Sequence, residues 1–172
     1  MSQLKRAVTE ADHHQGPLDA SIVLVEYGDY ECPYCGEEYP ELKAVQKEFG
    51  DKMCFVFRNF PLTQAHPHAE RAAEFAEAAA TVGKFWEMHD VLYEHQQALD
   101  DQSLIQYAQR LGLNGALIDS ALDDKYLDRI RKDFSGGVRS GVNGTPCIFI
   151  NNVRYNGERD ARTLIDLLNE IR

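Results

Sequence analysis

The sequence predicts an α/β fold interrupted by an α-helical insert, and three observations lead there. The apolar run Ile22-Val23-Leu24-Val25 leads through Cys32-Pro33-Tyr34-Cys35 into an amphipathic stretch and on to a second apolar run, Met53-Cys54-Phe55-Val56-Phe57. From about residue 65 to 141 apolar residues recur at helical spacing. Beyond that, Cys147-Ile148-Phe149-Ile150, Asn151-Asn152 and Val153-Arg154-Tyr155 read as a hairpin ahead of a last helix. A chain of 172 residues is long enough for one well-buried core with a subdomain inserted.

In chain order, residues 1–20 are polar and close on Gly16-Pro17-Leu18-Asp19-Ala20, a turn-like lead-in. Adjacent His13 and His14 are read as solvated rather than metal-binding. Residues 22–27 suit a central strand. A helix over 33–49 lines Tyr39, Leu42, Val45 and Phe49 on one face, contains Pro40 and stops at Gly50. Strand, helix, strand makes a right-handed β-α-β unit. The insert is expected to hold helices over 67–82, over 84–97, from a Ser103 cap to Leu111, from an Asn114 cap to Leu122, and over 125–138, where the apolar residues end before two glycines. Asp160 caps a final helix carrying Leu164, Leu167, Leu168 and Ile171. The outcome is a four-stranded sheet in a discontinuous domain, 1–62 and 142–172, around a helical insert, 63–141.

Chemistry concentrates at Cys32 and Cys35. At a helix start, unpaired backbone N–H groups and the positive end of the dipole favour a thiolate. Pro33 fits the first helical position, and a thiolate is the attacking species in thiol–disulfide exchange. A zinc half-site is the competing reading. It needs two more ligands, and Cys54 and Cys147 form no second pair at ligand-like spacing, so no metal is expected. Cys54 reads as inert core. Cys147 reads as a small buried hydrophobe, with a third active-site thiol as the rival. Glu26 stands in the first strand, six residues before Cys32. Burial would raise its pKa and make it a proton acceptor for Cys35. The rival is a strand-edge carboxylate paired with a base such as Arg58. Trp86, Met88 and His89 read as core, and His66 and His68 sit near a helix start with no partner evident.

The formal net charge of −10 argues against nucleic-acid and anionic-membrane partners. No apolar run is long enough to span a bilayer. The first residues hold no signal-peptide stretch, so a cytoplasmic location, where thiols are kept reduced, is expected. No cofactor is implied.

The order strand, CxxC helix, strand, helical insert, Thr-Pro, hairpin, helix resembles the thioredoxin fold. More narrowly, it looks like the DsbA-like family of thiol–disulfide oxidoreductases, whose members carry a helical insert at this place. The resemblance runs from about Asp12 to the C-terminus. It is carried by Val25-Glu26-Tyr27-Gly28-Asp29-Tyr30-Glu31-Cys32-Pro33-Tyr34-Cys35, Phe57-Arg58-Asn59-Phe60-Pro61-Leu62, Gly83-Lys84-Phe85-Trp86-Glu87-Met88-His89 and Asn143-Gly144-Thr145-Pro146. It implies a redox-active disulfide between Cys32, the exposed nucleophile, and Cys35, the buried resolving thiol. Pro33, Tyr34, Glu26 and a cis Thr145–Pro146 bond would support them. Pro33-Tyr34 is also the glutaredoxin dipeptide, so the direction of electron flow stays open, and Cys147 departs from the family pattern.

The function expected is disulfide exchange with protein or peptide substrates, with a redox partner recycling the pair. A glutathione-linked enzyme on the same fold and a redox-inert binding module are the alternatives. The size of the insert leads to a further expectation, an apolar cap beside Cys32 suited to hydrophobic side chains of a protein substrate. The Thr145 backbone would pair with the extended substrate segment.

Overall fold

Continuous apolar runs can be kept from water on both faces only in the middle of a sheet. In the computed structural model, which describes residues 2–171, that sheet is mixed and has five strands. They are β1 (His13–Gln15), β2 (Ile22–Gly28), β3 (Met53–Asn59), β4 (Cys147–Ile150) and β5 (Val153–Tyr155), in the order β1-β3-β2-β4-β5. Parallel β2 and β3 are joined by α1 (Pro33–Phe49), and every other pairing is antiparallel. Between β3 and β4 run α2 (Ala69–Ala80), α3 (Phe85–Glu94), α4 (Asp101–Arg110), α5 (Gly115–Leu122) and α6 (Leu127–Arg139); α7 (Ala161–Ile171) closes the chain.

Alternation along the central strands sorts the core onto two faces. Ile22, Leu24, Met53, Phe55, Phe57, Ile148 and Ile150 pack with α1, α7 and the helices α2 to α5. Val25, Tyr27, Cys54, Val56, Cys147 and Phe149 face the other way, under Leu4, Val8 and Phe134 of α6. The insert is thus divided between both faces of the sheet.

Several expectations need correction. The lead-in contains a fifth strand, β1, which pairs with β3 through His13, His14 and Gln15. Its three residues alternate in nothing, so no period marks them. His13 is not solvated. Its Nε2 lies 2.9 Å from Glu77 Oε2 and its ring stacks on Phe85 at 3.7 Å. The cap of α4 is Asp100, which accepts from the Ser103 amide, not Ser103 itself. The last insert helix starts at Leu127, two residues after the expected 125, and runs through Gly136 and Gly137 as its expected span requires. A Cβ at Gly137 would come within 2.9 Å of Phe60 and 3.0 Å of Tyr27, so glycine is what lets α6 lie this close to the sheet.

Candidate active site

β2 delivers the chain to the site. After Gly28 the turn Asp29-Tyr30-Glu31 reverses it, and Cys32 becomes the N-cap of α1, with backbone φ −70° and ψ 122° and Pro33 next. The turn is tied from inside by Asp29, which is 1% exposed. Its Oδ1 accepts the amides of Glu31 at 2.7 Å and Cys32 at 3.1 Å. Its Oδ2 accepts the Leu62 amide and a proton from His66 Nδ1, both at 2.8 Å. From the other side, Gln96 Nε2 donates to the carbonyls of Tyr30 at 2.9 Å and Cys32 at 2.8 Å. The side-chain amide reaches them because Gly36 has no Cβ, which would collide with it.

All four cysteines are free thiols. Cys35 is fully buried and Cys32 only 3% exposed, so Cys32 is far less open than the resemblance implied. The enclosure has a cause: the turn and Gln96 close on its backbone, and the Thr145 loop closes on its sulfur. Its Sγ lies 3.5 Å from the Thr145 carbonyl oxygen, and the Thr145–Pro146 peptide bond is cis. Pro33 and Tyr34 are the exposed part of the motif, Tyr34 at 66%.

The two sulfurs are held apart in acidity. A hydrogen bond from the Cys35 thiol does most to bring Cys32 down to about 5; burial opposes it, and Thr145 and the amides of Cys35 and Tyr34 assist. Burial pushes Cys35 well up, as do its bond to Cys32 and the nearby charges of Glu26 and Cys32. Glu26 is buried at 2% exposure on the same face of the sheet as the cysteines, its pKa raised by burial first and then by Glu38. Glu38 is also buried, which raises its pKa to about 7, and its Oε2 lies 3.0 Å from Arg159 Nε.

Some sequence readings part company with this geometry. Arg58 is no partner of Glu26. It is fully buried with Asp12, at 2.8 Å, and the Tyr27 hydroxyl, on the opposite face. Cys147 packs with Tyr27, Val25 and Phe149 on that opposite face, while Cys32 and Cys35 belong to the α1 face. It is a core hydrophobe, and the third-thiol reading falls. Cys54 is fully buried in the same cluster. Among the described residues no group of three or more His, Cys, Asp or Glu side chains is gathered to hold a metal ion.

Beside Tyr34, charge stands where an apolar cap was expected. Tyr34 adjoins a cavity of about 350 Å³ lined by Glu37, Glu38, Glu41, Glu158, Arg159 and Asp160. The apolar residues of the insert, Phe75, Leu92 and Leu104 among them, are turned into the core they share with the sheet. Asp29, Glu38, Gln96 and His66 were missed as site residues. Asp29 had a signal, an Asp placed to cap amides two and three residues on. The others had none, because they arrive from distant elements.

A turn, a thiol pair and a Thr-Pro loop in this arrangement on this sheet define a thioredoxin-fold protein of the DsbA-like kind. The family model described as Thioredoxin matches residues 8–170, and the chain belongs to that family. Among solved structures, BdbD from Bacillus subtilis in its oxidised form superposes with a TM-score of 0.86 at 20% identity, covering 99% of this chain and 97% of that one. The thiol-disulfide exchange protein alpha-DsbA2 from Wolbachia pipientis gives 0.82 at 21% identity, covering 95% and 88%. At such identities the likeness is one of fold. In sequence the chain is 42% identical over 156 residues to a protein of Salinispora arenicola named Na(+)/H(+) antiporter NhaA 1, covering 90% of this chain and 24% of that protein. It therefore spans about a quarter of the length of the curated relatives it matches.

Proposed function

We propose that this protein is a thiol–disulfide oxidoreductase acting on protein or peptide substrates. The observation that carries the reading is geometric: Cys32 is the N-cap of α1, its Sγ 3.5 Å from the Thr145 carbonyl oxygen, with Cys35 fully buried in the same first turn, and this setting lowers the Cys32 pKa and raises that of Cys35. The Cys32 thiolate attacks a substrate disulfide, forming a mixed disulfide and releasing one substrate thiolate. Cys35 then gives up its proton, Glu26 accepting it, and attacks the Cys32 sulfur. The second substrate sulfur leaves as thiolate, the substrate gains two electrons, and the protein is left with a Cys32–Cys35 disulfide. A dithiol-bearing partner restores it. Run backwards, the same steps oxidise a substrate. Direction follows from the reduction potential of the Cys32–Cys35 pair against that of its compartment.

Charge beside the thiol favours a protein over glutathione. Glutathione carries a net negative charge, and the cavity next to Tyr34 presents Glu37, Glu41, Glu158 and Asp160. The antiport named for the longer relatives is not carried over: none of this chain's described helices is long and apolar enough to cross a membrane. The division into 1–62 with 142–172 and 63–141 is proposed as one of topology, since both parts share a core.

The test is a Cys35→Ser variant, which can attack but cannot release the mixed disulfide from within. It is expected to carry protein adducts that dissolve on reduction, while Cys32→Ser carries none. Glutathione alone on Cys32, read by intact mass spectrometry, would establish the glutathione-linked alternative instead.

A further inference from the structure

His66 lies in the segment between β3 and α2, where its amide donates to the Leu62 carbonyl at 2.8 Å. Its side chain is 18% exposed, and its Nδ1 is 2.8 Å from the buried Asp29 carboxylate. That carboxylate is also the acceptor for the Cys32 amide. The charged groups that face His66 are therefore Asp29 and Glu31 from the turn and the Cys32 thiolate from the start of α1. Glu31 is already engaged by His68, at 2.7 Å. Asp29 has no cationic partner other than His66 among the described residues.

We propose that His66 is a positioning residue for Cys32: protonated, it neutralises the carboxylate that grips the Cys32 amide, and deprotonated, it leaves that buried charge to backbone amides alone, with no counter-charge. A carboxylate without a counter-charge near a thiolate disfavours it, whereas an imidazolium–carboxylate pair does not. Although burial opposes it, the Asp29 bond raises His66's pKa, and the charges of Asp29, Cys32 and Glu31 act the same way. Linkage is reciprocal, so whatever the Cys32 thiolate does to His66, the His66 proton does to Cys32. The support is present in full at acidic pH and is lost as pH rises through the His66 titration. Histidine is the side chain whose ordinary range places that loss near neutrality.

The inference deepens the disulfide-exchange reading and rests on it, yet its test needs no substrate. Cys32 is titrated by its thiolate absorbance and alkylation rate in the wild type, His66→Gln and His66→Lys. In His66→Gln the Cys32 midpoint is expected to rise by about 0.5–1 pH unit, and in His66→Lys, which keeps the charge, to stay near the wild-type value. In Cys32→Ser, the NMR titration of the His66 ring is expected to fall by a matching amount. A structural role alone moves neither the Lys rescue nor the reciprocal shift. An unchanged Cys32 midpoint in His66→Gln, an equal rise in both His66 variants, or an unmoved His66 titration in Cys32→Ser overturns the proposal. Should the titrations behave as expected while the wild type exchanges no disulfide, it is the functional reading that falls.

Discussion

Glu26 sits where a carboxylate is costly unless it is protonated, paired or useful, and in the proposed reaction the buried Cys35 has a proton to lose. The two facts explain each other. A Glu26→Gln variant is expected to slow release of a mixed disulfide on the order of 10²-fold, the usual contribution of a positioned base. Thermal melts supply an independent check. A carboxyl whose folded pKa is raised contributes stability that is present below its unfolded value, 4.5, and is lost as pH rises through the folded pKa. The variant should therefore melt with the wild type near about pH 4 and above it near about pH 8. Release at the wild-type rate across neutral pH would leave Glu26 a structural residue. Glu38 and Arg159 belong to the same ion cluster, and neither was legible: Glu38 looks like any glutamate on a helix surface until α1 is laid against β2.

At the scale of elements, several side chains tie α1 to the insert, Lys43 to Asp90 and Tyr39 to Glu94 among them, and Gln96 holds its N-terminal turn. Gln96 follows α3, holds two carbonyls of the catalytic turn, and occupies the space a Gly36 side chain would take. Gln96→Ala is expected to cost about 1–2 kcal/mol in urea unfolding, the price of two lost hydrogen bonds to partly buried carbonyls. Gly36→Ala in the wild type is expected to cost a similar amount by displacing Gln96. In the Gln96→Ala background the sign reverses, because an alanine in a helix is better than a glycine by about 0.5–1 kcal/mol once nothing blocks it. A Gly36→Ala change that destabilises equally in both backgrounds would show that Gln96 is not the obstacle.

For the molecule as a whole, the charged residues between the N-terminal segment, the sheet and α6 form a second point of closure. Arg58 binds Asp12 and the Tyr27 hydroxyl, Arg6 binds Asp133, and Asp133 in turn accepts from the Asn59 amide. Although burial opposes it, Arg58 holds Asp12 below the usual carboxylate range. A depressed carboxylate contributes stability above its unfolded pKa, 3.8, and loses it as pH falls through the folded value. Arg58→Met leaves Asp12 buried without its main partner and is expected to cost about 3–5 kcal/mol at neutral pH. The cost should shrink as pH falls and Asp12 protonates. A difference that is constant with pH would place the effect in packing instead.

By itself the sequence determined what local pattern can carry. The apolar runs from Ile22 and Met53, the helix between them, the Asn151-Asn152 turn and the thiol pair at a helix start all follow from spacing within a few residues. Glu26 was also legible, as a carboxylate in an apolar strand. Only the tertiary structure decided which face each strand residue takes, and so placed Cys147 away from Cys32 and Arg58 away from Glu26. It alone brought β1 onto β3, where three residues with no period are ordered by their neighbours. It alone gathered Asp29, His66 and Gln96 around one turn. Periodicity reports on residues that share an element, whereas a buried charge or an amide reaching across a gap is placed by the packing of elements far apart in the chain.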